Sequence, residues 1–139
     1  MIFAGEFAER VDTEGRINVP APFRPAFEDG LVLARGYERC IVAFTPAAWQ
    51  RVGDGVSALS LTERKARRLA RFTFSGARPA ELDRQGRLPL PAELLRYADA
   101  DRSVMVVGAG AVVEIWAADA WEAEREGLIE DASRLSAGP

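Results

Sequence analysis

A stretch that decides the fold reads Asp12-Thr13-Glu14-Gly15-Arg16-Ile17-Asn18-Val19-Pro20, and its second copy, 71 residues later, reads Asp83-Arg84-Gln85-Gly86-Arg87-Leu88-Pro89-Leu90-Pro91. Both contain Asp-x-x-Gly-Arg, then alternating apolar residues, then a proline. Glycine supplies the positive φ that tight turns between twisted strands need. An aspartate at the head of such a turn accepts hydrogen bonds from the amides that follow it. The motif therefore predicts two hairpin turns braced by four residues, Asp12, Gly15, Asp83 and Gly86.

The residues after each turn alternate as a short strand does. Side chains on a strand point to opposite faces in turn, so Ile17 lies on one face and Arg16 and Asn18 on the other. The same alternation places Leu88 opposite Arg87. We therefore expect both guanidinium groups to face solvent on a stiff support.

The rest of the chain repeats as well. Apolar runs predict strands at 3–11, 16–19, 31–35, 40–44, 80–82, 88–90, 103–107 and 112–116. Helices are expected at 22–28, from 46 to 53 or 55, from 60 or 62 through a stretch that includes Phe72, and from 91 to 97 or 98, with a last one capped by Asp119. The offset between copies is 71 at the turns and 72 from Val32/Val104 to Trp49/Trp121. This pattern predicts a duplicated unit of hairpin, helix, hairpin and helix.

Each unit is too small to bury a core alone, so the two are expected to interlock into one barrel. The expected divisions are a first half at 1–58, a basic connecting helix at 59–76, a second half at 77–128 and a flexible tail at 129–139. Trp49, Trp116 and Trp121 are expected to be core or interface anchors.

The connecting helix carries five cations within eight residues, Arg64, Lys65, Arg67, Arg68 and Arg71. Ser60-Leu61-Thr62-Glu63 before it fits a capping box, and Leu61, Ala66, Leu69 and Phe72 are expected to pack inward. The cations could contact phosphate or bridge subunits; the alternative, which we favour, is a solvated helix whose arginines pair with acids of a neighbour. Arg67, Arg68 and Arg71 are the expected oligomer contacts.

Composition narrows the classes of function. The 139 residues are 48% hydrophobic and 28% charged, which is typical of a globular protein. No long apolar run or basic leader predicts a membrane or secreted location, and a single cysteine, Cys40, favours a reducing cytoplasm. The absence of histidine removes the commonest general base and metal ligand. We expect no catalytic site, no metal, no cofactor and no small-molecule substrate.

Charge is distributed unevenly along the chain. The net charge of −3 argues against a nucleic-acid partner. Residues 117–139 alone carry six acids against two arginines, so the first 116 residues have a net charge of +1. Nearly all the basic residues are arginine, which grips phosphate and guanine bidentately. The distribution thus leaves nucleic-acid binding open.

Several motifs together resemble the MraZ family. They are the doubled Asp-x-x-Gly-Arg turn, Gly5-Glu6-Phe7, the Phe-Ser-Gly-Ala that ends at Ala77, and Glu114-Ile115-Trp116. The resemblance extends from Phe3 to about Glu126. It implies an α+β fold in which two AbrB/SpoVT-like swapped-hairpin halves form one pseudo-dimeric β-barrel with peripheral helices.

The resemblance also implies a function. It indicates a cytoplasmic, nucleoid-associated bacterial repressor that assembles into a homo-oligomeric ring. Such a ring binds short direct repeats in double-stranded promoter DNA upstream of the division and cell-wall gene cluster that contains its own gene. Arg16 and Arg87 would contact DNA, with Asn18 beside them. Pro89 departs from the pattern and has no N–H, so the second hairpin is expected to contact DNA less fully or to form a sheet edge at a subunit contact.

Two other classes of function compete with this one. A ring-forming scaffold that binds only proteins is favoured by the overall acidity. An enzyme is disfavoured, because the sequence shows no nucleophile constellation, and Gly108-Ala109-Gly110 lacks the strand-to-helix context of a phosphate-binding loop.

Overall fold

The computed structural model describes residues 1–136. The strands are β1 Glu6–Arg10, β2 Arg16–Asn18, β3 Leu31–Arg35, β4 Ile41–Phe44, β5 Arg78–Ala80, β6 Arg87–Pro89, β7 Ser103–Gly108 and β8 Val113–Ala117. The α-helices are α1 Pro46–Ser57, α2 Arg64–Ser75, α3 Ala92–Tyr97, α4 Ala118–Glu130 and α5 Ala132–Ser136, and a 3₁₀ helix spans Ala21–Phe27. The mixed α+β class that the sequence predicts is confirmed.

The larger sheet shows how the two halves interlock. Its six antiparallel strands run in the order β1-β7-β8-β4-β3-β5. The corresponding strands β4 and β8 meet at its centre, where Val42 pairs with Glu114, its own counterpart at an offset of 72. At the two ends, β1 pairs with β7 and β5 pairs with β3. Each half therefore supplies the edge strand of the other, and neither sheet half is complete alone.

The second sheet is a two-stranded ribbon built from the two copies of the turn motif. β2 pairs antiparallel with β6, and Ile17 lies directly opposite its counterpart Leu88. Backbone bonds from the Val19 N–H to the Gly86 oxygen (2.9 Å) and from the Leu90 N–H to the Gly15 oxygen (2.8 Å) extend the ladder. The ribbon thus lies on the same approximate two-fold axis as the centre of the larger sheet.

The predicted hairpins are wrong in their pairing. The turns are tight, and the Asp12 N–H donates to the Arg16 oxygen at 2.9 Å. Beyond that bond the strands separate, because β1 joins the larger sheet while β2 joins the ribbon. Within residues 1–136 no ladder of strand hydrogen bonds joins the two sheets, so they do not form a hydrogen-bonded closed barrel.

The main core fills the space between the larger sheet, the ribbon and the short helices. Phe23 and Phe27 of the 3₁₀ helix both pack against Phe3, with ring centroids 5.3 and 5.5 Å apart. Ile17 and Leu88 enter this core from the ribbon. Burying one side chain of this size contributes about 1.5–3 kcal/mol, so the core anchors the short ribbon, whose few backbone bonds would not hold it in place.

The helices cover other parts of the sheet. Thr45 caps α1, accepting a hydrogen bond from the Ala48 N–H at 3.1 Å. Trp116 and Trp121 are buried and form an edge-to-face pair with centroids 5.5 Å apart. Trp49 is half-buried and packs on Phe44 of the sheet. The aromatic anchors predicted for the two halves therefore both contact the sheet.

Three predicted helix boundaries are wrong. α1 continues past its two glycines to Ser57. α2 begins only at Arg64 without a side-chain cap, since the Ser60 hydroxyl bonds to that of Thr62 instead of to a backbone amide. Leu61, expected to pack inward, is 68% exposed as a result. α4 begins at Ala118, and the Asp119 carboxylate accepts from the neighbouring N–H inside the helix.

The C-terminal segment continues as helix. α4 extends to Glu130 and α5 covers Ala132–Ser136, within the range expected to be a flexible tail. The end of that predicted tail, 137–139, lies outside the described residues. No helix within residues 1–136 is long and apolar enough to span a bilayer.

Candidate nucleic-acid interface

The outer face of the ribbon brings together the residues that the motif predicted. Because side chains alternate along a strand, the buried Ile17 and Leu88 define the inner face. The outer face carries Arg16 opposite Pro89, and Asn18 opposite Arg87. Both arginines and the asparagine therefore share one small surface, although they come from opposite halves of the chain.

Pro89 costs the ribbon no ladder bond. In antiparallel pairs, hydrogen-bonded and non-hydrogen-bonded positions alternate. Since the ladder bonds lie at Gly15/Leu90 and Val19/Gly86, the Arg16/Pro89 pair occupies a non-hydrogen-bonded position. The missing N–H of Pro89 would have pointed away from β2 in any case.

The first turn holds Arg16 by its own aspartate. One carboxylate oxygen of Asp12, Oδ1, accepts hydrogen bonds from the N–H groups of Glu14 and Arg16, both at 2.9 Å. The other oxygen, Oδ2, lies 3.1 Å from Arg16 Nε. Gly15 at φ 80° makes the turn that allows this geometry. Backbone and guanidinium are thus fixed by the same side chain.

The second turn repeats this geometry closely. Asp83 Oδ1 accepts from the N–H groups of Gln85 and Arg87 at 2.9 Å each. Its Oδ2 lies 2.8 Å from Arg87 Nε, and Gly86 has φ 78°. The two turns, at opposite ends of the ribbon, therefore hold their arginines with the same geometry.

Hydrogen bonding favours the ionised form of the two aspartates. The backbone N–H of Arg16 lowers the pKa of Asp12, and that of Arg87 lowers the pKa of Asp83. Both carboxylates are ionised at neutral pH, as an ordinary aspartate already is, and each binds the Nε edge of its arginine. The Arg16 and Arg87 side chains remain 25% and 32% exposed. Their terminal nitrogens are the donors left to meet a ligand, although Arg16 Nη2 also lies 3.4 Å from Glu14 Oε2.

Arg24 supports the ribbon from below and was not identified from the sequence. Its Nε donates to the Val19 oxygen at 2.8 Å, and its guanidinium occupies the space where a side chain at Gly86 would lie. Burial raises the pKa of the nearby Glu9, which Arg24 partly offsets. Nothing in the spacing of Arg24 indicated this role, because its partner is a backbone carbonyl that only the folded chain brings near.

The predicted oligomer contacts all lie on α2, which packs on α1 and β3. Arg68 and Arg71 are exposed. Arg67 is half-buried and its Nη1 donates to the Leu61 oxygen at 2.9 Å. None of the three pairs with an acid among residues 1–136. That part of the chain also contains no cluster of side chains suited to a metal ion.

These features define a class of protein: two interlocked repeats in one chain, which together display a ribbon with two aspartate-held arginines. The family model described as "MraZ protein, putative antitoxin-like" matches residues 2–72 and again 73–136. The chain belongs to the MraZ family, as the sequence motifs predicted.

Similar proteins cover nearly the whole chain. A protein of Thermomicrobium roseum is 39% identical over 135 residues, 97% of this chain and 95% of its own length. One of Micrococcus luteus is 41% identical over 133 residues, 94% of this chain and 93% of its own length. One of Herpetosiphon aurantiacus is 35% identical over 97% of this chain and 94% of its own length. All three bear the name "Transcriptional regulator MraZ".

Proposed function

We propose that this protein is a DNA-binding transcriptional regulator, a repressor of the division and cell-wall gene cluster that contains its own gene. The observation that carries the proposal is the ribbon face, where aspartates hold Arg16 and Arg87 at Nε and leave the two side chains 25% and 32% exposed. The names of its relatives support the regulatory role. Its place of action would be the nucleoid, in the cytoplasm.

The ribbon suits the major groove of DNA. That groove admits a two-stranded β-ribbon, and an arginine there can bond both O6 and N7 of guanine or hold a phosphate. Asp12 and Asp83 each bind the Nε edge, which fixes the plane of the guanidinium before DNA arrives. Less side-chain entropy is then lost on binding. Asn18, exposed between the arginines, can bond adenine N6 and N7.

Self-assembly would multiply this small surface. One ribbon offers few contacts, whereas a ring presents several ribbons to direct repeats, and linked sites bind far more tightly than single ones. The opposite charges of α2 and α4 support such contacts. The exposed cations of α2, including Arg68 and Arg71, would meet the acids of α4, including Glu122 and Glu126, on a neighbouring copy. Within each copy, we propose that the two sheets act as one pseudo-dimeric AbrB-like barrel.

A binding assay on the promoter DNA of the protein's own gene tests the proposal. We expect Arg16→Ala and Arg87→Ala each to weaken binding, and the double variant to abolish sequence preference, because one bidentate guanine contact is worth about 1–3 kcal/mol. Arg51→Ala, an exposed arginine on α1, is the matched control. Native mass measured in parallel shows whether assembly survives. Full binding by the double variant would refute the ribbon mechanism.

A scaffold that binds only protein remains the second candidate, favoured by the net charge of −3. It predicts assembly without sequence-preferring DNA binding even at low salt. Nonspecific binding through cations weakens as salt rises, with a slope set by the number of phosphates contacted. A titration at several salt concentrations, with operator and scrambled DNA, therefore separates the two candidates.

A further inference from the structure

The two turns differ in charge although their backbones match. At the 71-residue offset, Thr13 and Glu14 of the first turn correspond to Arg84 and Gln85 of the second. The first turn, 12–16, contains two acids and one arginine, a net charge of −1. The second, 83–87, contains one acid and two arginines, a net charge of +1. The two halves of the ribbon therefore meet a polyanion with opposite charge.

Glu14 also restrains the arginine that would contact DNA. Its Oε2 lies 3.4 Å from Arg16 Nη2, so Arg16 is bound by carboxylates at both Nε and a terminal nitrogen. Gln85 occupies the same place beside Arg87 and has no charge. Among residues 1–136, Asp83 is the one carboxylate that pairs with Arg87. The terminal nitrogens of Arg87 are consequently free of the competition that Arg16 meets.

Arg84 adds an unpaired cation at the tip of the second turn. It is exposed, and its side chain makes no hydrogen bond or ion pair within residues 1–136. The groove behind it is lined by Arg24 and Arg84 but also by Glu28, Glu81 and Asp83. With three acids against two arginines, that groove does not suit an anion. A phosphate contact by Arg84 would therefore come from outside this groove.

We propose that the two turns contact DNA unequally: the second, through Arg87 and an additional phosphate contact from Arg84, dominates, while Glu14 attenuates the first. The inference rests on the proposed DNA-binding function and names the residues that determine its strength. It also reverses the expectation drawn from Pro89, which costs no ladder bond. Phosphate oxygens would repel Glu14 of the first turn and attract Arg84 of the second. The two residues occupy neighbouring positions of the repeated motif, because Glu14 corresponds to Gln85 and Arg84 to Thr13.

The test compares dissociation constants for operator DNA by fluorescence anisotropy across a salt series. We expect Arg87→Ala to weaken binding at least about five-fold more than Arg16→Ala, the lower end of what one guanine contact is worth. Arg84→Gln should reduce the slope of log K against log salt by about 0.9 for each turn engaged, as loss of one phosphate contact does. Melting curves of each variant check that it folds.

Exchanging the turn residues isolates the effect of Glu14. We expect Glu14→Gln to tighten binding by up to about five-fold, the upper end of what one exposed ion pair is worth, and Gln85→Glu to weaken it. Glu38→Gln, which changes the net charge equally at an exposed site away from the turns, is the matched control. Equal losses for Arg16→Ala and Arg87→Ala, or equal gains for Glu14→Gln and Glu38→Gln, would overturn the inference while leaving the proposed function intact. Unchanged binding by the Arg16/Arg87 double variant would overturn both.

Discussion

Ile17→Ala tests whether the ribbon joins the two halves. The Ile17 side chain is 1% exposed and lies opposite Leu88, which is 2% exposed. Substituting a buried isoleucine by alanine costs about 2–5 kcal/mol, depending on how far the site can collapse. Collapse is limited here, because the ladder bonds of Val19 and Leu90 fix the strands on either side. We therefore expect no less than about 3–4 kcal/mol, the middle of that range.

Thermal unfolding provides the assay. The unfolding entropy of a chain of 139 residues is about 0.3 kcal/mol per kelvin, so the melting temperature should fall by about 10–14 °C. Ile2→Ala, at an 82% exposed position, makes the same chemical change and should shift it little. Leu88→Ala completes a double-mutant cycle, in which directly packed residues couple by about 0.5–3 kcal/mol. Additive losses, or a loss no larger than that of Ile2→Ala, would refute the view that the ribbon closes the core.

Three further predictions concern the turns and the core. Gly86→Ala should lower stability more than Gly15→Ala. Both substitutions place alanine in a left-handed conformation that costs about 1–2 kcal/mol, but only the Cβ at position 86 would also displace the Arg24 guanidinium. Urea unfolding of both variants measures the difference. The lowered pKa of Asp83 means that its stabilisation is present above pH about 4 and is lost as the pH falls through the folded-state pKa; Asp83→Asn should therefore unfold with a weaker dependence on acid than the wild type. Burial raises the pKa of Cys40 to about 12, so at pH 8 a thiol reagent should modify it no faster than the protein unfolds; rapid modification of the native state would contradict the fold.

The repeat could be recognised from the sequence because each landmark in it, a turn or a helix cap, is determined by residues that are neighbours in the chain. The offset of 71 to 72 residues relates turn to turn and tryptophan to tryptophan, and Leu31–Arg35 is a strand with the predicted bounds. Thr45 and Pro46 likewise begin α1 by a rule that involves only neighbouring residues. These features depend on short-range sterics and hydrogen bonding, which can be predicted from the types of adjacent residues.

Strand pairing was not readable in the same way. A turn between two apolar stretches favours a hairpin, yet β1 and β2 pair with strands of the other half. The choice depends on which arrangement buries Phe3, Phe23 and Ile17 together, and that is a property of the whole core. The false capping box before α2 has a different, local origin, because the Ser60 hydroxyl bonds to the Thr62 hydroxyl two residues later and not to a backbone amide.

The arginines of the site were predicted from the sequence, but the side chains that support or compete for them were not. Arg16 and Arg87 followed from the motif, whereas the support from Arg24 depends on the carbonyl of Val19, five residues earlier in the sequence, which the fold of the backbone brings within 2.8 Å of Arg24 Nε. The contact between Glu14 and Arg16 needed the turn geometry. The carboxylates within a turn compete for the same arginine, and the motif Asp-x-x-Gly-Arg does not specify which residues occupy its two variable positions.

Duplication within one chain explains why the buried and exposed faces of the ribbon differ in their symmetry. Ile17 and Leu88 contact each other across the approximate two-fold axis, so both must be apolar, and a polar residue at either would be buried without a partner. The turn tips are exposed, and substitutions at exposed positions usually change stability by no more than about 0.5 kcal/mol. Glu14 and Arg84 could therefore arise independently in the two halves. A dimer of identical chains would carry any such change in both turns. This chain can contact DNA unequally because its two halves are encoded separately within one polypeptide.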